Sequence, residues 1–175
     1  RQVTSHESVT NACVLKSSSI HTRAELLLLS NNKKIDSKIR LMTVSWLTKD
    51  QLQRKSIDKI LKALSILPED ILDKISLYII GGEGDGIDYL NNLISNFNLS
   101  SNVFIEVDVS NERKIHLYGS SDLYIQPSYY EGFGNSVMEA MSYGTPCVVS
   151  ANTAQPEVVL DTGYILNQIT SDSIY

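Results

Sequence analysis

From Arg40 onward, apolar runs of strand length alternate with stretches patterned as helices, and the strand runs have no polar face. Residues 41–47, 76–80, 102–107, 122–126 and 147–150 are five such runs, and residues 164–166 read as a short sixth. Strands apolar on both sides must be covered on both sides, which calls for a parallel sheet between two layers of helices. The intervening segments supply those helices. Ile57, Ile60, Leu61, Leu64 and Leu67 stand at helical spacing over residues 56–67, before Pro68. Ile87, Leu90, Leu93, Ile94 and Phe97 mark a second helix, and residues 111–119 a third with Ile115 and Tyr118 facing inward. Residues 136–143 form a fourth, closed by Gly144 in a C-cap position, and residues 156–160 a helical turn. Repeated strand–helix–strand order with right-handed crossovers gives an α/β fold with a doubly wound, Rossmann-like parallel sheet. Ligands of such sheets bind outside the carboxyl ends of the strands.

Two motifs fall on that edge. The segment EGFGNSVMEAMSYGTPCVVS (131–150) holds two carboxylates, Glu131 and Glu139, eight positions apart. The spacing puts Glu131 on a loop ahead of a helix N-terminus and Glu139 about one turn inside it. Free backbone N–H groups at the helix tip grip an anion, and carboxylates grip hydroxyls. A nucleotide-sugar carries both. Each residue also has a plainer reading. Ser136 and Glu139 match the S-x-x-E capping box, and Glu131 alone would pass for a solvated loop acid. The glycine cluster 81–86 misses the dinucleotide fingerprint, because its third glycine position falls on Ile87. It also lacks the Lys-Ser/Thr ending of a phosphate-binding P-loop, but its glycines permit a ligand to approach the backbone. Arg54 and Lys55, just ahead of the first helix on the same edge, are the cations a diphosphate would need.

Composition narrows the class further. The chain of 175 residues suits one well-cored domain, with 42% hydrophobic and 20% charged residues. A net charge of −5 argues against non-specific nucleic-acid binding. No apolar run reaches membrane-spanning length and no secretory signal is visible, so a cytoplasmic protein is expected. Cys13 and Cys147 lack metal-ligand spacing and are expected to be reduced buried thiols, and the three histidines suggest neither a metal site nor a triad. Residues 1–39 read as a lead-in or linker, the tail of an N-terminal domain, with a short helix over 22–30 and a polar turn at 31–34. Residues 40–175 are the ligand-binding domain, and a further helix is expected beyond Tyr175.

The stretch from Arg40 to about Leu166 resembles the C-terminal, donor-binding domain of retaining glycosyltransferases of the GT-B fold, in particular the GT4-like family. Glu131 and Glu139 match that family's E-x7-E motif; residues 122–128 look like the strand leading into it, residues 155–159 the short helix beyond, and residues 79–84 the glycine loop. The resemblance implies that Glu131 accepts hydrogen bonds from donor-sugar hydroxyls, with Gly132 and the N–H groups of Phe133 and Gly134 beside the same sugar. It implies that Asn135, Ser136 and Val137 face the diphosphate, that Glu139 holds the ribose hydroxyls, and that Lys55 binds phosphate. Gly82 and the end of the third strand would lie near the nucleobase. No cofactor and no metal are implied. The implied partners are an NDP-sugar and a glycan or lipid-linked acceptor on an N-terminal domain, with peripheral membrane association of the full-length protein compatible with the family. Three positions depart from its pattern: Ser45-Trp46 stands for Gly-Arg, Val107 for a glycine, and Asp85 for a proline. Those departures would suit a non-catalytic subunit serving as a partner surface, and the shared nucleotide seat would also suit a sugar-nucleotide epimerase.

Overall fold

The computed structural model describes residues 38–175. The helix expected over 22–30, the turn at 31–34 and Cys13 lie outside the described residues. Six strands form one sheet: β1 (Ile39–Val44), β2 (Ile75–Gly81), β3 (Val103–Val107), β4 (Leu123–Gln126), β5 (Cys147–Ser150) and β6 (Tyr164–Leu166). Their order is β3-β2-β1-β4-β5-β6, every pairing parallel, as the unbroken apolar runs require. The order reverses between β1 and β4, which makes their carboxyl ends the topological switch point.

The two faces of each strand go to different helix layers. Leu41, Leu77, Ile79 and Ile125 point into a core closed by α1 (Lys49–Arg54), α2 (Ile57–Ser65) and α4 (Ile87–Asn96). Met42, Ile80, Tyr124 and Val149 point into a second core closed by α5 (Asn111–Ser120), α6 (Asn135–Ser142) and α7 (Gln155–Val159). The short α3 (Glu69–Leu72) lies between α2 and β2, and α8 (Ser171–Ile174) returns to pack on α2.

Three details differ from the sequence reading. Ile115 is exposed, while Leu117 and Tyr118 are buried. At about 100° per residue, Ile115 lies roughly 160° around the helix from Leu117 and falls outside the narrow apolar stripe. Trp46, read as part of the first strand, follows β1 and is 67% exposed. Arg54 and Lys55 do stand just ahead of the helix read over 56–67, now α2, but they also close α1, a short helix the sequence reading passed over. Arg54 is the last residue of α1, where a cation suits the helix dipole, and Lys55 is its C-cap. The chain then turns through left-handed Ser56 (φ 56°) into α2.

Candidate functional site

Gln126, at the carboxyl end of β4, is fully buried and is the hub of the site. Its Oε1 accepts from Lys55 Nζ at 3.2 Å, Tyr124 OH at 2.6 Å and Ser136 Oγ at 2.7 Å. An ammonium only donates, so the amide atom facing Lys55 is the oxygen, and Nε2 is left to face a carboxylate. That carboxylate is Glu131, whose Oε1 accepts from Gln126 Nε2 at 3.0 Å. One side chain thus ties the end of a central strand to α6, to the loop of the first acid and to the α1–α2 junction.

Glu131 is no solvated loop acid. It is 9% exposed, with Oε1 3.5 Å from Lys55 Nζ and Oε2 3.6 Å from Arg54 Nη1. Its backbone N–H donates to Thr153 Oγ1 at 2.9 Å. Arg54 also donates to the Tyr130 carbonyl at 2.8 Å, and the Tyr129 N–H donates to the Arg54 carbonyl at 2.8 Å. Lys55 is equally enclosed. Its ammonium donates to the Val44 carbonyl at 2.9 Å as well as to Gln126. Burial pulls the Lys55 pKa below the ordinary lysine range; Glu131 pulls it back up, and the Arg54 charge lowers it. Of the two expected phosphate cations, Lys55 is therefore held in a buried pair here, and Arg54 is the one reached by solvent.

The tip of α6 is built differently from a capping box. Gly134 is its N-cap, with φ 87°, a left-handed conformation that favours glycine. Ser136 is the second helical residue, and its hydroxyl donates to Gln126 rather than capping. The N–H groups of Val137 and Met138 both donate to the Gly134 carbonyl, so Val137 has no N–H left over for an anion. Those of Asn135 and Ser136 have no partner among the described residues, as the first donors of a helix should. Gly132, Phe133 and Asn135 are exposed ahead of and at that tip.

Glu139, released from capping, reaches toward α5. Its Oε2 accepts from Tyr118 OH at 2.9 Å and lies 3.2 Å from Lys114 Nζ. Burial raises the pKa of Tyr118 well above the ordinary tyrosine value, which keeps it a neutral donor. Glu139's side chain is 43% exposed, open to a ligand where Glu131 is enclosed.

Gly82 is not the open floor expected of it. The exit of β1 lies on the glycine loop: Leu47 N–H donates to the Gly82 carbonyl at 3.0 Å, and a side chain begun on Gly82 would meet Trp46 Cζ3 at 2.3 Å. The glycines of this loop admit the chain's own backbone and indole. An apolar groove of about 570 Å³, lined by Phe133, Met138, Met141, Val158 and neighbours, lies on the face of α6 turned away from Ser136 and Glu139. Among the described residues no group of three His, Cys, Asp or Glu side chains is placed to hold a metal ion.

Sequence reasoning located Glu131, Ser136 and Glu139 but passed over Gln126, Tyr118, Lys114 and Thr153. The signal for Gln126 was available: an amide at the end of an apolar strand, where burial demands polar partners.

Fold and placement define an open α/β domain with a helix tip and two carboxylates at the carboxyl edge of its sheet, beside the β1/β4 switch point where ligands of such folds bind. The chain belongs to the glycosyl transferases group 1 family, whose sequence profile matches residues 32–173. It is similar to the O-antigen chain mannosyltransferase B of Escherichia coli, 34% identical over 121 residues, which are 69% of this chain and 32% of that protein. It is also similar to an uncharacterized glycosyltransferase of Methanocaldococcus jannaschii, 34% identical over 133 residues, 75% of this chain and 32% of that protein. The chain thus spans about a third of the length of these relatives. Its fold is that of WaaG, a glycosyltransferase involved in lipopolysaccharide biosynthesis (TM-score 0.67, 21% identity, 89% of this chain and 40% of that one). HepE of Anabaena, solved with UDP and glucose, has the same fold (TM-score 0.67, 19% identity, 88% and 41%).

Proposed function

We propose that residues 40–175 are the donor-binding half of a retaining GT-B glycosyltransferase, which transfers a sugar from an NDP-sugar to an acceptor seated on a separate N-terminal domain. The observation that carries this reading is the hub at Gln126, which holds a carboxylate and a helix tip with two free N–H groups at the carboxyl edge of the sheet. In this reading Glu131 accepts from hydroxyls of the donor sugar, and the N–H groups of Phe133 and Gly134 lie beside it. The N–H groups of Asn135 and Ser136, with the charge of Arg54 and Lys55, stabilise the diphosphate. Glu139 takes the ribose hydroxyls. The bond from the anomeric carbon to the diphosphate oxygen breaks with its electron pair leaving on the diphosphate, and the acceptor hydroxyl oxygen bonds to that carbon on the same face as its proton passes to the departing diphosphate. Preorganised donors aimed at the departing charge lower the barrier without a metal or other cofactor.

The mannosyltransferase named among the relatives and the UDP complex of HepE support a sugar-nucleotide ligand and a glycan or lipid-linked acceptor. No described helix is long and apolar enough to cross a membrane. We place the protein in the cytoplasm, at the membrane face if its acceptor is lipid-linked. Glu131→Ala in the full-length protein is the test, read as transfer rate alongside a fold control. Loss of transfer with the fold intact supports the reading. Unchanged transfer overturns it, and a full-length protein without any transfer would point to a partner-binding subunit, which exposed Trp46 and Val107 would suit.

A further inference from the structure

The strongest feature unused by that reading is Trp46. It is the chain's one tryptophan, and 67% of it is open to solvent. It leaves β1 at the carboxyl edge of the sheet, two residues after Val44, whose carbonyl holds Lys55. Its backbone is pinned: Ser45 N–H donates to the Ile80 carbonyl at 2.9 Å, Leu47 N–H to the Gly82 carbonyl at 3.0 Å, and Ser45 Oγ to the Trp46 carbonyl at 2.9 Å. The benzo edge of the indole rests on Gly82, with Cζ3, Cε3 and Cη2 at 2.3, 2.6 and 3.2 Å from where a side chain would begin. The ring therefore occupies the space that Gly82 would otherwise offer to a ligand, and presents its own open surface instead. Val107, also exposed, ends the strand next to β2, where it pairs with Gly81.

We propose that Trp46 is the stacking platform for the nucleobase of the donor, on the β1–β2 side of the switch point, across from the α6 tip. This rests on the nucleotide-sugar reading above. A rigid, exposed indole backed by a glycine matches the flat face of a base, and such stacking is tolerant of which base it is. A sugar lacking a base, or pyrophosphate, offers no such face.

The test uses the 175-residue chain, because its sole tryptophan is the reporter. UDP, GDP and ADP are titrated by calorimetry and by tryptophan emission, with pyrophosphate and glucose 1-phosphate as base-free controls. The expected result is quenching by at least one nucleotide and not by the controls. Trp46→Ala should weaken that nucleotide by roughly fivefold or more while Trp46→Phe retains most of the affinity. Gly82→Ala, which displaces the ring, should weaken it as well. Nucleotide heat without quenching, with Trp46→Ala binding like the parent, overturns the platform and leaves the nucleotide reading standing. Equal quenching by the base-free controls overturns the assignment to a base. No heat with any nucleotide overturns both.

Discussion

Gln126 Nε2 donates to Glu131 Oε1 at 3.0 Å, while Oε1 of the same amide accepts from Lys55, Tyr124 and Ser136. The acid that marks the motif is therefore aimed by a residue five positions earlier, on a different element. Gln126→Leu keeps the bulk but takes the shared acceptor from the hydroxyls of Tyr124 and Ser136 and the donor from Glu131, while Lys55 keeps the Val44 carbonyl. At roughly 1–3 kcal/mol for each group left unmade and not rescued by relaxation, a net loss of about 3 kcal/mol is expected. Urea unfolding measures it. An unchanged midpoint would mean that the hub holds nothing together.

Lys55 and Glu131 form a buried pair, and losing one partner strands the other. Lys55→Met should cost about 3 kcal/mol, toward the low end for such pairs because Arg54 still faces Glu131. Combining it with Glu131→Gln should cost less than the sum of the single changes, since the charge left behind is gone. Strict additivity in a double-mutant cycle would show that the two do not interact.

Ser56 holds φ at 56° between α1 and α2, and its buried hydroxyl has no hydrogen-bond partner among the described residues. Left-handed backbone costs a non-glycine residue about 1–2 kcal/mol. Ser56→Gly relieves this and the unpaired hydroxyl, against about 0.5–1 kcal/mol of added chain entropy. A net gain near 1 kcal/mol is expected in urea unfolding, and a loss would contradict the strain.

Much of this domain was legible in the chain because its signals are local. Runs such as Ile79-Ile80 and Val148-Val149 announce strands buried on both faces, and a parallel doubly wound sheet follows from them. Glu131 and Glu139 were legible from their spacing around a glycine-flanked aromatic. What stayed hidden was long-range. Glu139 reads locally as the partner of Ser136 in a cap, yet Gly134 takes the cap and Tyr118 and Lys114 take Glu139. Lys55 reads as an open cation, and only the fold sets it between Val44, Gln126 and Glu131. The glycine loop reads as a ligand cradle until Trp46 is seen resting on it.

Cys147 is buried in the second core, and burial pushes its thiol pKa from 9.0 up to about 12. A raised folded pKa contributes stability that is complete below about pH 9 and is lost as pH climbs toward 12. Iodoacetamide at pH 8 should leave Cys147 unlabelled in the folded chain and label it in urea, as peptide mass mapping reads. Rapid labelling of Cys147 in the native state would contradict that burial.

The central claim is that a carboxylate and a helix tip, joined through Gln126, seat a sugar and its diphosphate together. Calorimetric titration of the chain with UDP-, GDP- and ADP-sugars tests it most directly. At least one should bind, with the affinity falling at least about tenfold in Glu139→Gln, because a charged hydrogen-bond acceptor for the ribose is lost. A folded chain that gives no heat with any of them would contradict it.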